Sequence, residues 1–217
     1  MLTPHACSPA SQVANPSIAA RRVQDACRDT LRRLGVAQLD LYLVHSPFTG
    51  VPLLETWREM EALVDAGLTR HIGVSNFRVG DIRELLAHAR VRPAVNQLEF
   101  HPYLQQSELA QLCRSEGIAL EAYCPLGPIT LWPGGAVDEP VRAAAEAHGT
   151  TPASVLLAWP LALGHAVVTT STKPGRAAEA LRAAAIRLSD AEVEAIAAAG
   201  AAATQRRRFW VNDFGSA

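Results

Sequence analysis

The residues of this 217-residue sequence that could do chemistry recur at one kind of place, the end of a short apolar run. The run 38–44 ends at His45, and His71–Val74 is followed by Ser75-Asn76. Ala94–Leu98 carries Gln97 and leads to Glu99, Ile118–Tyr123 ends on its tyrosine beside Cys124, and Ala166–Thr170 leads into Ser171. A neutral imidazole at such an end can donate one hydrogen bond to a carbonyl oxygen. A metal is the weaker reading of His45, because no Asp or His stands two or four residues on and the other histidines are scattered. Taken singly, each of these residues reads equally well as a helix cap or a loop residue, and a lone His after an apolar run is often a satisfied core residue. The series carries the functional reading, because a purely structural sheet needs no polar side chains at five consecutive strand ends.

The elements that must position them alternate between helix and strand. Asn15-Pro16 predicts a helix start, with Val23, Cys27, Leu31 and Leu34 as the helix stripe and Gly35 as its stop. Trp57, Met60, Leu63 and Val64 share one face of a second helix, which Gly67 ends. Ile82, Leu85, Leu86 and Ala89 make a third, and Ser107 caps a fourth that Gly117 ends. Beyond a Gly/Pro-rich loop, Pro125–Gly135, helices are predicted near 139–148 and 152–163; Pro160 should kink or end the latter. Another follows Pro174, and Ser189-Asp190-Ala191-Glu192 is a capping-box pattern that opens the last, with 195–203 as its alanine-rich continuation. Strand starts near 39, 71, 94, 118 and 166, separated by helices, call for a parallel sheet covered by helices. An open doubly wound dinucleotide fold would show GxGxxG after a strand, and none is present. A (β/α)8 barrel places its chemistry at the C-terminal strand ends, where these polar residues fall, but needs eight strands where five are legible.

Composition narrows the function classes. Twenty Lys+Arg against 21 Asp+Glu and 49% hydrophobic residues describe an ordinary globular chain with a formal charge of −1. The near-neutral balance argues against a nucleic-acid partner, and no apolar run approaches the roughly 20 residues of a membrane span. No secretory signal is visible at Met1–His5, and Cys7, Cys27, Cys113 and Cys124 show neither CxxC spacing nor a disulfide-dense pattern, so the expected setting is the reducing cytoplasm.

Four segments, in order, carry a resemblance. They are Leu39-Asp40-Leu41-Tyr42-Leu43-Val44-His45-Ser46-Pro47, Ile72-Gly73-Val74-Ser75-Asn76-Phe77, Asn96-Gln97-Leu98-Glu99-Phe100-His101-Pro102-Tyr103 and Ala122-Tyr123-Cys124-Pro125-Leu126-Gly127. At matching spacing they resemble the aldo-keto reductase family from about residue 17 onward, leaving 1–16 as an unassigned segment. The resemblance implies a (β/α)8 TIM barrel, incomplete here. It also implies a nicotinamide cofactor, NADPH with NADH as the alternative, and reduction of a small aldehyde or ketone to an alcohol. In that family's terms His45 matches the catalytic histidine that orients the substrate carbonyl. Ser75, Asn76 and Gln97 match the residues that hydrogen-bond the nicotinamide carboxamide, and Tyr123 matches the aromatic ring on which the nicotinamide stacks. Ser171, Arg176 and Glu179 match the segment that holds the adenosine phosphate and adenine.

The departures are equally specific. The family's catalytic tyrosine, with its paired lysine and aspartate, belongs to the first strands, upstream of this chain; Tyr42, Tyr103 and Tyr123 each match another position. Thr170 stands where many members carry a lysine, with Lys173 three residues on; Ala180 replaces a common asparagine and Cys124 the usual serine. The alternative implied is a non-catalytic relative that binds a nucleotide or a partner. The substrate loops, here Pro47–Leu54, Pro125–Val137 and Phe209–Asn212, do not name the carbonyl compound, and the oligomeric state is not legible.

Overall fold

The computed structural model describes residues 10–214, and the elements alternate as the periodicity predicts. The first are β1 (Ala10–Val13), α1 (Asn15–Ala19), α2 (Val23–Leu34), β2 (Leu39–Val44), α3 (Leu53–Asp65), β3 (Thr69–Ser75) and α4 (Val79–His88). Then come β4 (Val95–Glu99), α5 (Ser107–Ser115), β5 (Ala119–Tyr123), α6 (Gly127–Thr130), α7 (Asp138–Ala147) and α8 (Pro152–Ala162). The chain closes with β6 (Ala166–Val167), α9 (Pro174–Ala183), α10 (Asp190–Ala202) and α11 (Val211–Phe214). The strands form a six-stranded parallel sheet in chain order, β1 to β6.

Three readings need correction in detail. A sixth strand, β1, lies inside the segment 1–16 that carried no assignment; residues 1–9 of that segment lie outside the described residues. The helix predicted from Asn15 is two helices, because Arg21 takes a left-handed φ of 55° between them. The strand predicted to run to Thr170 stops at Val167. The helix predicted over 152–163 is α8, which ends at Ala162, two residues past the buried Pro160. The expected capping box is present: Ser189 and Glu192 cap α10 reciprocally. Among the described residues Cys27, Cys113 and Cys124 are free thiols, and no helix is long and apolar enough to cross a membrane.

Two units divide the chain. The first comprises residues up to Asn96 with Leu112–Ala119. Here β1 pairs β2 through Val13 opposite Val44, and β2 pairs β3 through Val44 opposite Val74, so three strand ends lie at one level. Tyr42, Val44, Ile72 and Val74 fill one core with Trp57, Met60 and Leu63 of α3, and the Trp57 indole N–H donates to the Val91 carbonyl at 3.0 Å. Gly73 has no room for a side chain: a Cβ would stand 2.7 Å from both Leu43 Cδ2 and the Val95 carbonyl oxygen.

The second unit comprises Gln97–Gln111 and Leu120 onward. The Phe100 amide donates to the Tyr123 carbonyl at 3.1 Å, and β5 pairs β6 through Ala122 opposite Val167. Phe100 stacks on Trp159 of α8 with centroids 5.5 Å apart, and the Trp159 indole N–H donates to Val193 of α10 at 3.1 Å.

Candidate functional site

In the first unit the strand register brings His45, Ser75 and Asn76 together. His45 follows β2, and its amide donates to the Val13 carbonyl of β1 at 3.3 Å. Ser75 ends β3, and Asn76 turns the chain away in a left-handed conformation, φ 61°, which asparagine tolerates better than most residues. The Asn76 amide nitrogen donates to the His45 carbonyl at 2.9 Å and to Ser75 Oγ at 3.0 Å, tying the ends of β2 and β3. Ser75 and Asn76 are buried; His45 is half-buried. Burial penalises the imidazolium and pushes the His45 pKa below its ordinary 6.5, so the ring is neutral at pH 7. Next to it Ser46 Oγ accepts from Asn15 Nδ2 at 2.7 Å and from the Phe48 amide at 3.2 Å, which holds the loop after β2.

Gln97 and Tyr123 belong to the second unit. Gln97 donates to Glu121 of β5 at 2.6 Å. Tyr123 is half-buried at the end of β5. Burial, reinforced by the negative charge of Glu99, pushes its phenol pKa well up. The Phe209 ring stands against it at 71° with centroids 5.7 Å apart, and the Trp210 side chain hydrogen-bonds it.

The third group lies around α9. Ser171 Oγ accepts from the Lys173 amide at 3.0 Å, forming a turn that delivers Pro174 to the first helical position. Arg176 is exposed in the first turn of α9. Glu179, half-buried, hydrogen-bonds Thr151, the N-cap residue of α8, and lies 3.4 Å from Ser154 Oγ. Arg176 and Glu179 are three apart on one helix and share a face.

Glu99, whose charge acts on Tyr123, was not singled out as a site residue. It is wholly buried, and its carboxylate accepts from the Arg208 and Phe209 amides at 2.7 and 2.9 Å. Those partners stand 109 and 110 residues away in sequence, so no local pattern could have signalled the contact.

Parallel βα units with polar side chains along the C-terminal strand ends, and no glycine-rich loop after a strand, define the barrel class rather than the doubly wound class. The chain belongs to the aldo/keto reductase family, whose sequence profile matches residues 9–201. It is 37% identical over 209 residues to an NAD(P)H-dependent D-xylose reductase of Aspergillus niger, covering 81% of this chain and 66% of that one. It is 35% identical over 184 residues to an NAD/NADP-dependent indole-3-acetaldehyde reductase of Schizosaccharomyces pombe, covering 82% and 65%. The chain thus spans just under two thirds of these curated relatives. Among solved structures, an aldose reductase from Giardia lamblia superposes with a TM-score of 0.82 at 31% identity, covering 92% of this chain and 73% of that one. The fold class is therefore the (β/α)8 barrel of that family, with six strands among the described residues.

Proposed function

We propose that these 217 residues bind a nicotinamide nucleotide, NADPH with NADH as the alternative, for the family's reduction of small aldehydes or ketones, while supplying no proton donor of their own for turnover. The observation that carries this reading is the placement of His45, Ser75, Gln97 and Tyr123 at or beside the ends of successive parallel strands in a member of this family. The donor set suits the group. A half-buried tyrosine ring offers a flat face to a heteroaromatic ring, and an exposed arginine in the first turn of a helix offers charge and backbone N–H groups to a phosphate. When bound, the nucleotide supplies a hydride.

The chain's own residues do the rest. Tyr123 orients the nicotinamide by stacking, and Ser75, Asn76 and Gln97 hydrogen-bond its carboxamide. Ser171 and Arg176 hold the adenosine phosphate, while Glu179, steadied by Thr151, faces the adenine. His45, neutral at pH 7, donates to the substrate carbonyl oxygen.

None of the three tyrosines is a ready proton donor. Tyr42 is fully buried, with a phenol pKa pushed up to about 12. Tyr103 is buried, its oxygen accepting from the Val137 amide at 3.1 Å, and Tyr123 is held by Trp210 and raised by burial. General acid help is typically worth about 10²–10⁴ in rate. Purified chain mixed with NADPH and 4-nitrobenzaldehyde is therefore expected to consume nucleotide no faster than the no-aldehyde control. Robust turnover that His45→Ala abolishes would show that some residue here supplies the proton.

A further inference from the structure

Glu99 ends β4 with 0% of its surface exposed. A carboxylate so buried needs hydrogen-bond donors, and an apolar side chain of similar size would sit there at lower cost. Its donors come from the C-terminal tail. The Arg208 amide donates to Oε1 at 2.7 Å, and the next amide, Phe209, donates to Oε2 at 2.9 Å. The His101 ring nitrogen Nε2 stands 3.2 Å from Oε1. Consecutive amides, one on each oxygen, fix the backbone on both sides of Arg208. One residue earlier the Arg206 amide donates to the Tyr103 carbonyl at 3.3 Å, and its guanidinium lies 5.0 Å from the Tyr103 ring centroid. Immediately beyond, Trp210 has φ 58°, a left-handed conformation that is costly for a bulky side chain and persists only where its surroundings hold it.

The segment fixed in this way meets Tyr123. Phe209 packs edge to face on the Tyr123 ring, and Trp210 hydrogen-bonds its hydroxyl. We infer that Glu99 is a positioning residue: by clamping the tail at Arg208–Phe209 it sets Phe209 and Trp210 against Tyr123 and so fixes the orientation of that ring. The inference rests on the reading of Tyr123 as the nicotinamide platform, and it adds a determinant more than a hundred residues from the tail it controls. A ring already held flat loses less freedom when a ligand stacks on it.

Two readouts on the 217-residue chain separate the clamp from the nucleotide. Limited trypsin digestion, followed by mass spectrometry, reports the backbone at Arg207 and Arg208 against Arg187 as an internal reference. Glu99→Gln keeps the shape but leaves one accepting oxygen where two are needed. Cleavage after Arg207 and Arg208 is expected to rise about tenfold, while cleavage after Arg187 stays unchanged. NADPH affinity should fall severalfold in Glu99→Gln and also in Phe209→Ala, which leaves the clamp in place. Equal cleavage of wild type and Glu99→Gln at the tail, or a rise shared by Arg187, would overturn the clamp. If Glu99→Gln does not fold, Phe209→Ala and Trp210→Phe decide: unchanged NADPH affinity in both overturns the inference. Unchanged affinity in Tyr123→Ala would instead remove the nicotinamide reading, and the tail-specific cleavage would then judge the clamp alone.

Discussion

Half-burial penalises the imidazolium form of His45, and the neutral ring that it favours keeps one N–H that can donate to a carbonyl oxygen. The same burial gives it a pH signature. The folded pKa lies below 6.5, so as pH falls through 6.5 the unfolded chain takes up a proton before the folded chain does. Stability attached to this residue is therefore full above pH 6.5 and declines toward the folded pKa. An NMR titration of the His45 ring should give an apparent pKa under 6.5, and His45→Ala should remove that part of the acid sensitivity; a value above 6.5 would contradict the burial argument. In the second unit, Arg176 is exposed in the first turn of α9, and on the proposed reading a second phosphate would meet its charge. Arg176→Ala should weaken NADPH more than NADH, and equal losses would remove the residue from the 2′-phosphate. His45 and Asn76 were readable from sequence because each follows an apolar run, whereas Arg176 and Glu179 came only from the family resemblance. What each one touches was not readable: the Asn76 bond to the His45 carbonyl and the Glu179 bond to Thr151 join different elements.

Strand β2 was legible from its Leu, Tyr and Val run, and β3 to β5 from short apolar stretches such as Ile72-Gly73-Val74 that follow predicted helices. Strand β1 was not, because Ala10-Ser11-Gln12-Val13 holds one β-branched apolar residue, and Val13 is its only buried position. What makes it a strand is its pairing with β2, a tertiary override of weak local preference. The break between α1 and α2 was equally hidden, since Arg21 takes a positive φ that glycine normally advertises. Gly73 gives the sheet its most exacting position. Gly73→Ala must displace Leu43 and the β4 backbone at Val95, and an overpacked core of this kind costs about 1–3 kcal/mol. Urea unfolding should show the midpoint falling with the slope unchanged; a midpoint equal to wild type would mean that the strands part freely there.

For the whole chain, the order of strand ends matters more than any one of them. Four segments at family spacing were enough to indicate the barrel class from sequence, whereas the tail's return to Glu99 depends on the fold as a unit. The chain matches just under two thirds of its curated relatives' lengths, and the part it holds carries the residues read as the nucleotide platform. Binding, separate from turnover, is thus the property these residues should retain. The most direct test is calorimetric titration of NADPH into the folded 217-residue chain and its Tyr123→Ala variant. Wild type should bind, and Tyr123→Ala should bind more weakly by about 1–3 kcal/mol, the range for an aromatic ring stacked on a base. A folded wild-type chain that binds neither NADPH nor NADH would contradict the assignment of its strand ends to a nicotinamide nucleotide.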